Sequence, residues 1–201
     1  GEMWQGAAKN CHSAVFIAVG TGIGAGIIID GHVLHGASDI IGATGWMALQ
    51  PPYKEDYKAC GCFEYYASGN GIGARVRDAV RANKAYKGKL REKPIGRISA
   101  YDVFSAYNEG DPIAVSVLQK AVEMWGMGAA NLVSLLNPQK VIWGGGVFGP
   151  AGIFIDDIYK EACKWAQPIS IRQAEFVPSQ LSGNAGLIGA AFLAIKNHLY
   201  E

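Results

Sequence analysis

The residues best placed to do chemistry are Val19-Gly20-Thr21-Gly22-Ile23-Gly24-Ala25-Gly26, four glycines at alternate positions around one threonine, between apolar residues 15–19 and 27–29. Glycine at every second position leaves one strand face bare, so that phosphate oxygens can approach the backbone, and Thr21 adds a hydroxyl donor. The same glycines also suit a tightly twisted hairpin, because glycine in a strand marks a bulge or close packing. Gly144-Gly145-Gly146-Val147-Phe148-Gly149 forms a second cluster after the apolar run Lys140-Val141-Ile142-Trp143. Its spacing fits a dinucleotide fingerprint. Pro150 interrupts the turn, however, and no acidic residue ends a following strand at the required distance, which argues against a Rossmann reading.

The elements that must carry these turns read as α/β. Strands are expected at 13–19, 26–29, 140–143 and 174–178, with Asp30-Gly31 as a two-residue hairpin turn before His32-Val33-Leu34. Residues 63–80 have helical spacing, and a helix over 153–165 should pack behind the second glycine cluster. Ser99 opens a helix, with Asp102 three positions on as a capping signal. Asp111-Pro112 opens another, with Asp as N-cap and Pro at the first helical position. From there apolar Ile113, Val117, Leu118, Ala121, Val122, Trp125, Ala129, Leu132, Val133 and Leu136 recur at threes and fours up to Asn137-Pro138, which marks the central core helix. Residues 84–98 should be an exposed basic loop. Gly183-Asn184-Ala185-Gly186 opens a closing helix, with Asn184 as a cap.

Composition narrows the function classes. The chain of 201 residues is 50% hydrophobic, enough for one substantial core or two small lobes around a cleft. Eighteen basic residues against seventeen acidic ones leave no electrostatic footprint for nucleic acid or for an anionic membrane. No apolar run approaches the ~18 residues of a membrane span, and no charged-then-apolar leader is present. Cys11, Cys60, Cys62 and Cys163 are too few and too scattered for a disulfide scaffold, which points to a reducing cytoplasm. There is no Ser/His/Asp spacing, Walker loop or metal-spaced His/Glu pair.

Taken with Leu34-His35-Gly36-Ala37-Ser38 and Gly42-Ala43-Thr44-Gly45, the two glycine clusters resemble the ROK family of repressors and sugar kinases, whose fold is the actin-like (ribonuclease H-like) ATPase. The family signature is followed from Val19 to Gly45 and fails where a basic residue is expected and Trp46 stands. Gly1-Glu2-Met3-Trp4-Gln5-Gly6-Ala7 is similar to the run that follows the family's catalytic Asn-Asp segment. On that resemblance residues 1–201 are the C-terminal lobe of a ROK domain, and the N-terminal lobe, with the first phosphate loop and the aspartate base, lies upstream of Gly1. No catalytic residue is then expected within the chain. The resemblance implies ATP with Mg²⁺, phosphate contacts at Gly20, Thr21, Gly22 and Gly24, and adenosine contacts at Gly144, Gly145 and Gly146. It also implies a sugar ligand, for which Glu2 and Trp46 are the candidate contacts, and a homodimer.

Two family sites are degenerate. The sugar-gripping Glu-x-Gly-His is replaced by Ala43-Thr44-Gly45-Trp46, which removes a charge-assisted hydrogen bond of about 1.5–3 kcal/mol. Trp46 can stack on a sugar ring or fill core space. The zinc motif Cys-x-Cys-Gly-x-x-Gly-Cys-x-Glu is reduced to Ala59-Cys60-Gly61-Cys62-Phe63-Glu64. Two thiols do not make the four ligands of a structural zinc, so zinc is not expected. The kinase reading and that of a sugar-sensing, dimerising regulator domain both stand at this point. So does that of a lobe kept for oligomerisation alone.

Overall fold

Alternating side-chain directions along five short strands generate the two packed faces of the sheet. In the computed structural model, which describes residues 1–198, β1 (Ala14–Val19), β2 (Ile23–Ile29), β3 (His32–Val33), β4 (Lys140–Gly144) and β5 (Glu175–Pro178) lie in the order β3-β2-β1-β4-β5. β1 pairs antiparallel with β2 and parallel with β4, and β4 continues parallel to β5. Val15, Ile17, Val19, Ile23, Ile27, Val141 and Trp143 face the larger core. Ala14, Ile28 and Ile142 face a smaller one, with Phe16 and Met3 against it. Asp30 and Gly31 both have positive φ (51° and 75°), the signature of the type I′ turn that the Asp-Gly pair favours.

Six further helices follow α1 (Glu2–Gln5): α2 (Cys62–Ala67), α3 (Gly69–Ala82), α4 (Ala100–Asn108), α5 (Pro112–Leu136), α6 (Ile155–Ala162) and α7 (Pro168–Gln173); α8 (Ala185–His198) closes the described chain. The expected helix over 63–80 is two helices. Ser68 leaves helical geometry at ψ 166° and caps α3 by accepting the Gly71 N–H. The helix expected over 153–165 starts as 3-10 turns at Gly146–Phe148 and Pro150–Phe154 before α6, because Pro150 and its glycines postpone regular helix. β2 starts three residues earlier than expected, since its glycines pair in register with Phe16 and Ala18. The Ser99–Asp102 capping box forms as expected.

The long helix α5 organises the larger core. Asp111 caps it by accepting the Ile113 and Ala114 amides (3.0 and 3.1 Å), and Asn137 ends it in the left-handed conformation. Trp125, fully buried, donates Nε1–H to the Ala67 carbonyl at 3.0 Å, tying α5 to the end of α2. Asp111 also accepts the buried Tyr86 hydroxyl, and Tyr86 in turn accepts the Leu90 N–H. Residues 84–98 are thereby anchored at Tyr86, Leu90 and Ile98, all buried, while their basic side chains face solvent.

On the smaller-core side, an apolar cavity of about 670 Å³ runs between Phe16, Gly26, Ile28 and Val33 and the small residues of α8. Phe192, which lines it, packs against Trp4 with the rings tilted at 36° and their centroids 5.4 Å apart. No helix among the described residues is long and apolar enough to cross a membrane.

Asp111→Ala removes both the cap and the acceptor for Tyr86. A cap contributes about 0.5–2 kcal/mol and a stranded buried hydroxyl costs about 1–3 kcal/mol. The expected loss is roughly 2–4 kcal/mol, read as a lower urea midpoint at unchanged slope. Burial first, and then the bond to Asp111, push Tyr86 from 10.0 up to about 12. The neutral phenol is therefore favoured in the fold, and its contribution is complete below pH ~10 and fades as pH rises towards ~12. Tyr86→Phe should flatten that alkaline loss of stability.

Candidate functional site

The tip of the β1–β2 hairpin is fixed by α2 and α3. The Gly69 and Asn70 amides, first in α3, donate to the Gly20 and Thr21 carbonyls (2.8 and 3.4 Å), and the next amides bond to Ser68. The α3 N-terminus therefore holds the hairpin. The Glu64 carboxylate accepts the Ile23 N–H at 2.7 Å through Oε2. Room for these contacts comes from missing side chains: a Cβ on Gly69 would stand 2.9 Å from the Gly20 oxygen, and one on Gly22 or Gly45 would stand 2.5 or 2.9 Å from Glu64 Oε2. Within the turn Gly20 N–H donates to Gly22 O. Among the described residues the Thr21 and Gly22 amides have no acceptor, so the turn keeps two backbone donors beside the Thr21 hydroxyl.

That turn forms one end of an open cleft of about 580 Å³, within the range of small-ligand sites. Gly20, Thr21 and Asn70 line it from the hairpin tip and the start of α3, Gly146, Val147 and Pro150 from the turns after β4, and Arg77, Arg97 and Tyr101 from α3 and the segment that enters α4. The two glycine clusters, more than a hundred residues apart in the chain, thus meet across one space. Gly20 is open to it, with no atom within 4 Å of a Cβ placed there, and a Cβ on Gly146 would meet only the Tyr101 hydroxyl at 3.9 Å.

The other residues singled out from the sequence lie around this cleft. Gly22 backs onto Glu64, and Gly24 lies near the Gly42 carbonyl on the opposite sheet face. Gly144 makes room for the Phe16 ring, and at Gly145, φ +87°, an added Cβ would stand 2.4 Å from the Val19 carbonyl oxygen; both border a second cavity of about 190 Å³ that also touches Gly146. Glu2 is buried on the smaller-core face, where its carboxylate accepts the Ala7 amide (2.6 Å), the Leu181 amide (3.2 Å) and the Ser179 hydroxyl. Gly6 clears the space for that carboxylate. Trp46 is 57% exposed at the edge of the Gly42–Gly45 turn, so the core-filling alternative for it is corrected. Sequence reasoning missed Asn70, Arg77, Arg97 and Tyr101 as cleft residues, and it read Glu64 only as part of a metal motif. The Ser99 capping box, which places Tyr101 in the first turn of α4, was the one available signal.

Zinc does not fit the residues present. Cys60 Sγ lies 3.7 Å from the Gly61 carbonyl oxygen and Cys62 Sγ 3.9 Å from that of Gln50. Burial first, then the Glu64 charge, push the Cys60 thiol above its ordinary value, and Arg75 offsets only part of this; a zinc ligand needs the thiolate. Among the described residues no three His, Cys, Asp or Glu side chains converge on one point. The segment before α2 is held instead by rings and cations. Tyr57 packs edge-on to Tyr65 and Tyr66 (centroids 5.2 and 6.2 Å), and the Arg75 guanidinium lies 3.6 Å over the Tyr65 ring. Lys54 donates to the Tyr66 hydroxyl at 2.7 Å. Burial alone would raise Tyr66, but bonds from Lys54 and Tyr57 outweigh it and leave this phenol below its ordinary value.

Comparison with known proteins bears on the family and the fold. The chain is 34% identical over 198 residues to the glucokinase of Halalkalibacterium halodurans, covering 96% of the chain and 59% of that enzyme. It is 27% identical over 202 residues to the xylose repressor of Bacillus spizizenii, covering 99% of the chain and 48% of the repressor. It superposes on a ROK glucokinase from Streptomyces griseus, solved with glucose and AMPPNP, with a TM-score of 0.78 and 30% identity, covering 96% of the chain and 63% of that structure. The chain therefore spans about half to two-thirds of the length of these relatives. Its fold is the actin-like ATPase fold of ROK sugar kinases, and its relatives include both kinases and repressors. The profile of the ROK family matches residues 1–197, and the chain belongs to the ROK family.

Proposed function

We propose that the chain is the nucleotide-binding C-terminal lobe of a ROK sugar kinase. The observation that carries this reading is the meeting of two unobstructed glycine turns across one cleft, at whose end Thr21 keeps a free amide and a hydroxyl. The Gly20-Thr21-Gly22 turn would receive the phosphates of ATP and the Gly146 side its nucleoside. Bound Mg²⁺ would neutralise charge developing on the phosphates during transfer to a sugar hydroxyl. The base that takes the sugar proton is assigned to an aspartate outside residues 1–201.

Sugar contact falls to other groups than the family's Glu and His. Glu64 commits one oxygen to Ile23, and its Oε1 accepts no protein hydrogen bond among the described residues. With the exposed Trp46 on the adjoining turn, it supplies a hydroxyl acceptor next to a stacking surface. The loss of the glutamate and histidine, together with the kinship to a repressor, supports a second reading in which the lobe senses a sugar and dimerises within a regulator. The four free cysteines suit a cytoplasmic protein in either case.

Calorimetric titration separates the two readings. Mg·ATP should bind the wild type, and Gly20→Ala or Gly146→Ala should weaken it about tenfold, close to 1.4 kcal/mol, with no change in melting temperature. A folded wild type that takes up no Mg·ATP would leave the glycines as architecture and favour the regulator. For the sugar, Glu64→Gln keeps an acceptor for Ile23 but removes the charge. Glucose binding should then fall about tenfold or more, given ~1.5–3 kcal/mol for a charged hydrogen bond; equal affinity in both proteins would remove Glu64 from the sugar site.

A further inference from the structure

The α4 side of the cleft carries a residue without a role in the fold. Tyr101 is 72% exposed although it stands in the first turn of α4. Among the described residues its ring takes part in no aromatic pair and its hydroxyl in no hydrogen bond, whereas Tyr57, Tyr65, Tyr66, Tyr107 and Tyr159 are all ring-packed. It lines the cleft beside Arg97, and its hydroxyl reaches to 3.9 Å from the place of a Gly146 Cβ. The ring therefore extends from the α4 wall across the mouth to the glycine wall. The Gly146 φ is not in the left-handed region, so its lack of a side chain serves space rather than backbone conformation.

The charges around Tyr101 complete the wall. Arg77 is fixed in place by Nη1 donating to the Ile98 carbonyl at 2.7 Å. Arg97 is exposed and forms no ion pair among the described residues, while its neighbours Lys89 and Lys93 are paired with Glu109 and Asp102. A planar ring that lines one cleft with two guanidinium groups and reaches towards an unobstructed backbone is suited to a flat, π-rich ligand group, which stacks on tyrosine and lies against arginine. The Gly20–Thr21 turn with its free donors lines the same cleft, so a ligand with phosphates there would bring its base to this wall.

We infer that Tyr101 is the base-stacking residue of the cleft and makes it select a nucleotide over a bare polyphosphate chain, with Arg97 flanking the stacked base. The inference rests on the nucleotide reading of the cleft. Stacking depends on the ring and not on the hydroxyl, so phenylalanine should serve as well as tyrosine. An exposed side chain with no packing partner can also be removed without disturbing the fold.

The test is titration of Mg·ATP and, separately, of Mg·tripolyphosphate into wild type, Tyr101→Ala and Tyr101→Phe, with melting curves recorded for each. Base stacking on an aromatic side chain corresponds to roughly five- to a hundredfold in affinity. Tyr101→Ala should weaken Mg·ATP by about tenfold or more within that range and leave Mg·tripolyphosphate unchanged, while Tyr101→Phe should bind both as the wild type does. Unchanged Mg·ATP binding in Tyr101→Ala, beside a Gly20→Ala control that is weakened, would overturn the role of Tyr101 and leave the nucleotide reading intact. Equal loss of both ligands in Tyr101→Ala would overturn it too, by placing the phosphates at this wall. A wild type that binds neither ligand would overturn the nucleotide reading, and this inference with it.

Discussion

The cleft of this chain depends on the docking of one hairpin tip onto one helix start. The Gly69 and Asn70 amides hold the Gly20 and Thr21 carbonyls, and Glu64 holds the Ile23 amide from the side. A helix N-terminus usually offers free amides to an anion, but here they are taken up in fixing the turn. The exposed donors are moved one step outward, to Thr21 and Gly22. Close approach is what demands glycine at 22, 45 and 69, since a methyl group at any of them would press on Glu64 or on the Gly20 carbonyl. The glycines that could contact a ligand are others, Gly20 and Gly146, where a side chain would meet open space.

This division explains how far the sequence could be read. The strands, the Asp30-Gly31 turn, the capped helices at Ser99 and Asp111 and the core stripe of α5 were legible, because period and capping chemistry are local. The break between α2 and α3 was not, since Ser68 interrupts a pattern whose apolar spacing continues across it. The alternation of glycines 20, 22, 24 and 26 was read as one bare face for a ligand. In the fold it divides: Gly20 opens on the cleft, Gly22 yields to Glu64, and Gly24 and Gly26 lie on the opposite face, towards Gly42 and Phe16. Tyr101 and Arg97 could not be recognised because what singles them out is lining one cleft with Gly146, a residue 45 or more positions away.

Glu2 and the degenerate metal motif show how a family pattern can persist with structural work to do. Glu2 and Gly6 belong together because the carboxylate occupies the space that a side chain at 6 would fill, and from there it ties the first turn to the Ser179 loop. In the Cys60–Glu64 stretch, Glu64 keeps its place as the brace of the hairpin. The preceding segment is fixed by Tyr57, Tyr65, Tyr66, Lys54 and Arg75. Edge-on rings and a stacked guanidinium each contribute about 0.5–2 kcal/mol, enough in sum to hold a short segment.

The central claim is that the docked hairpin and the Gly146 turn form two sides of one nucleotide cleft. Amide hydrogen exchange with and without Mg·ATP tests it most directly, because it reports the backbone groups themselves. The account predicts slowed exchange at Thr21 and Gly22 together with residues 96–101 and 145–147, and no change at residues 33–41. A folded chain in which saturating Mg·ATP leaves both sides of the cleft unprotected, or protects the smaller-core face around Ile28 and Val33 instead, would contradict it.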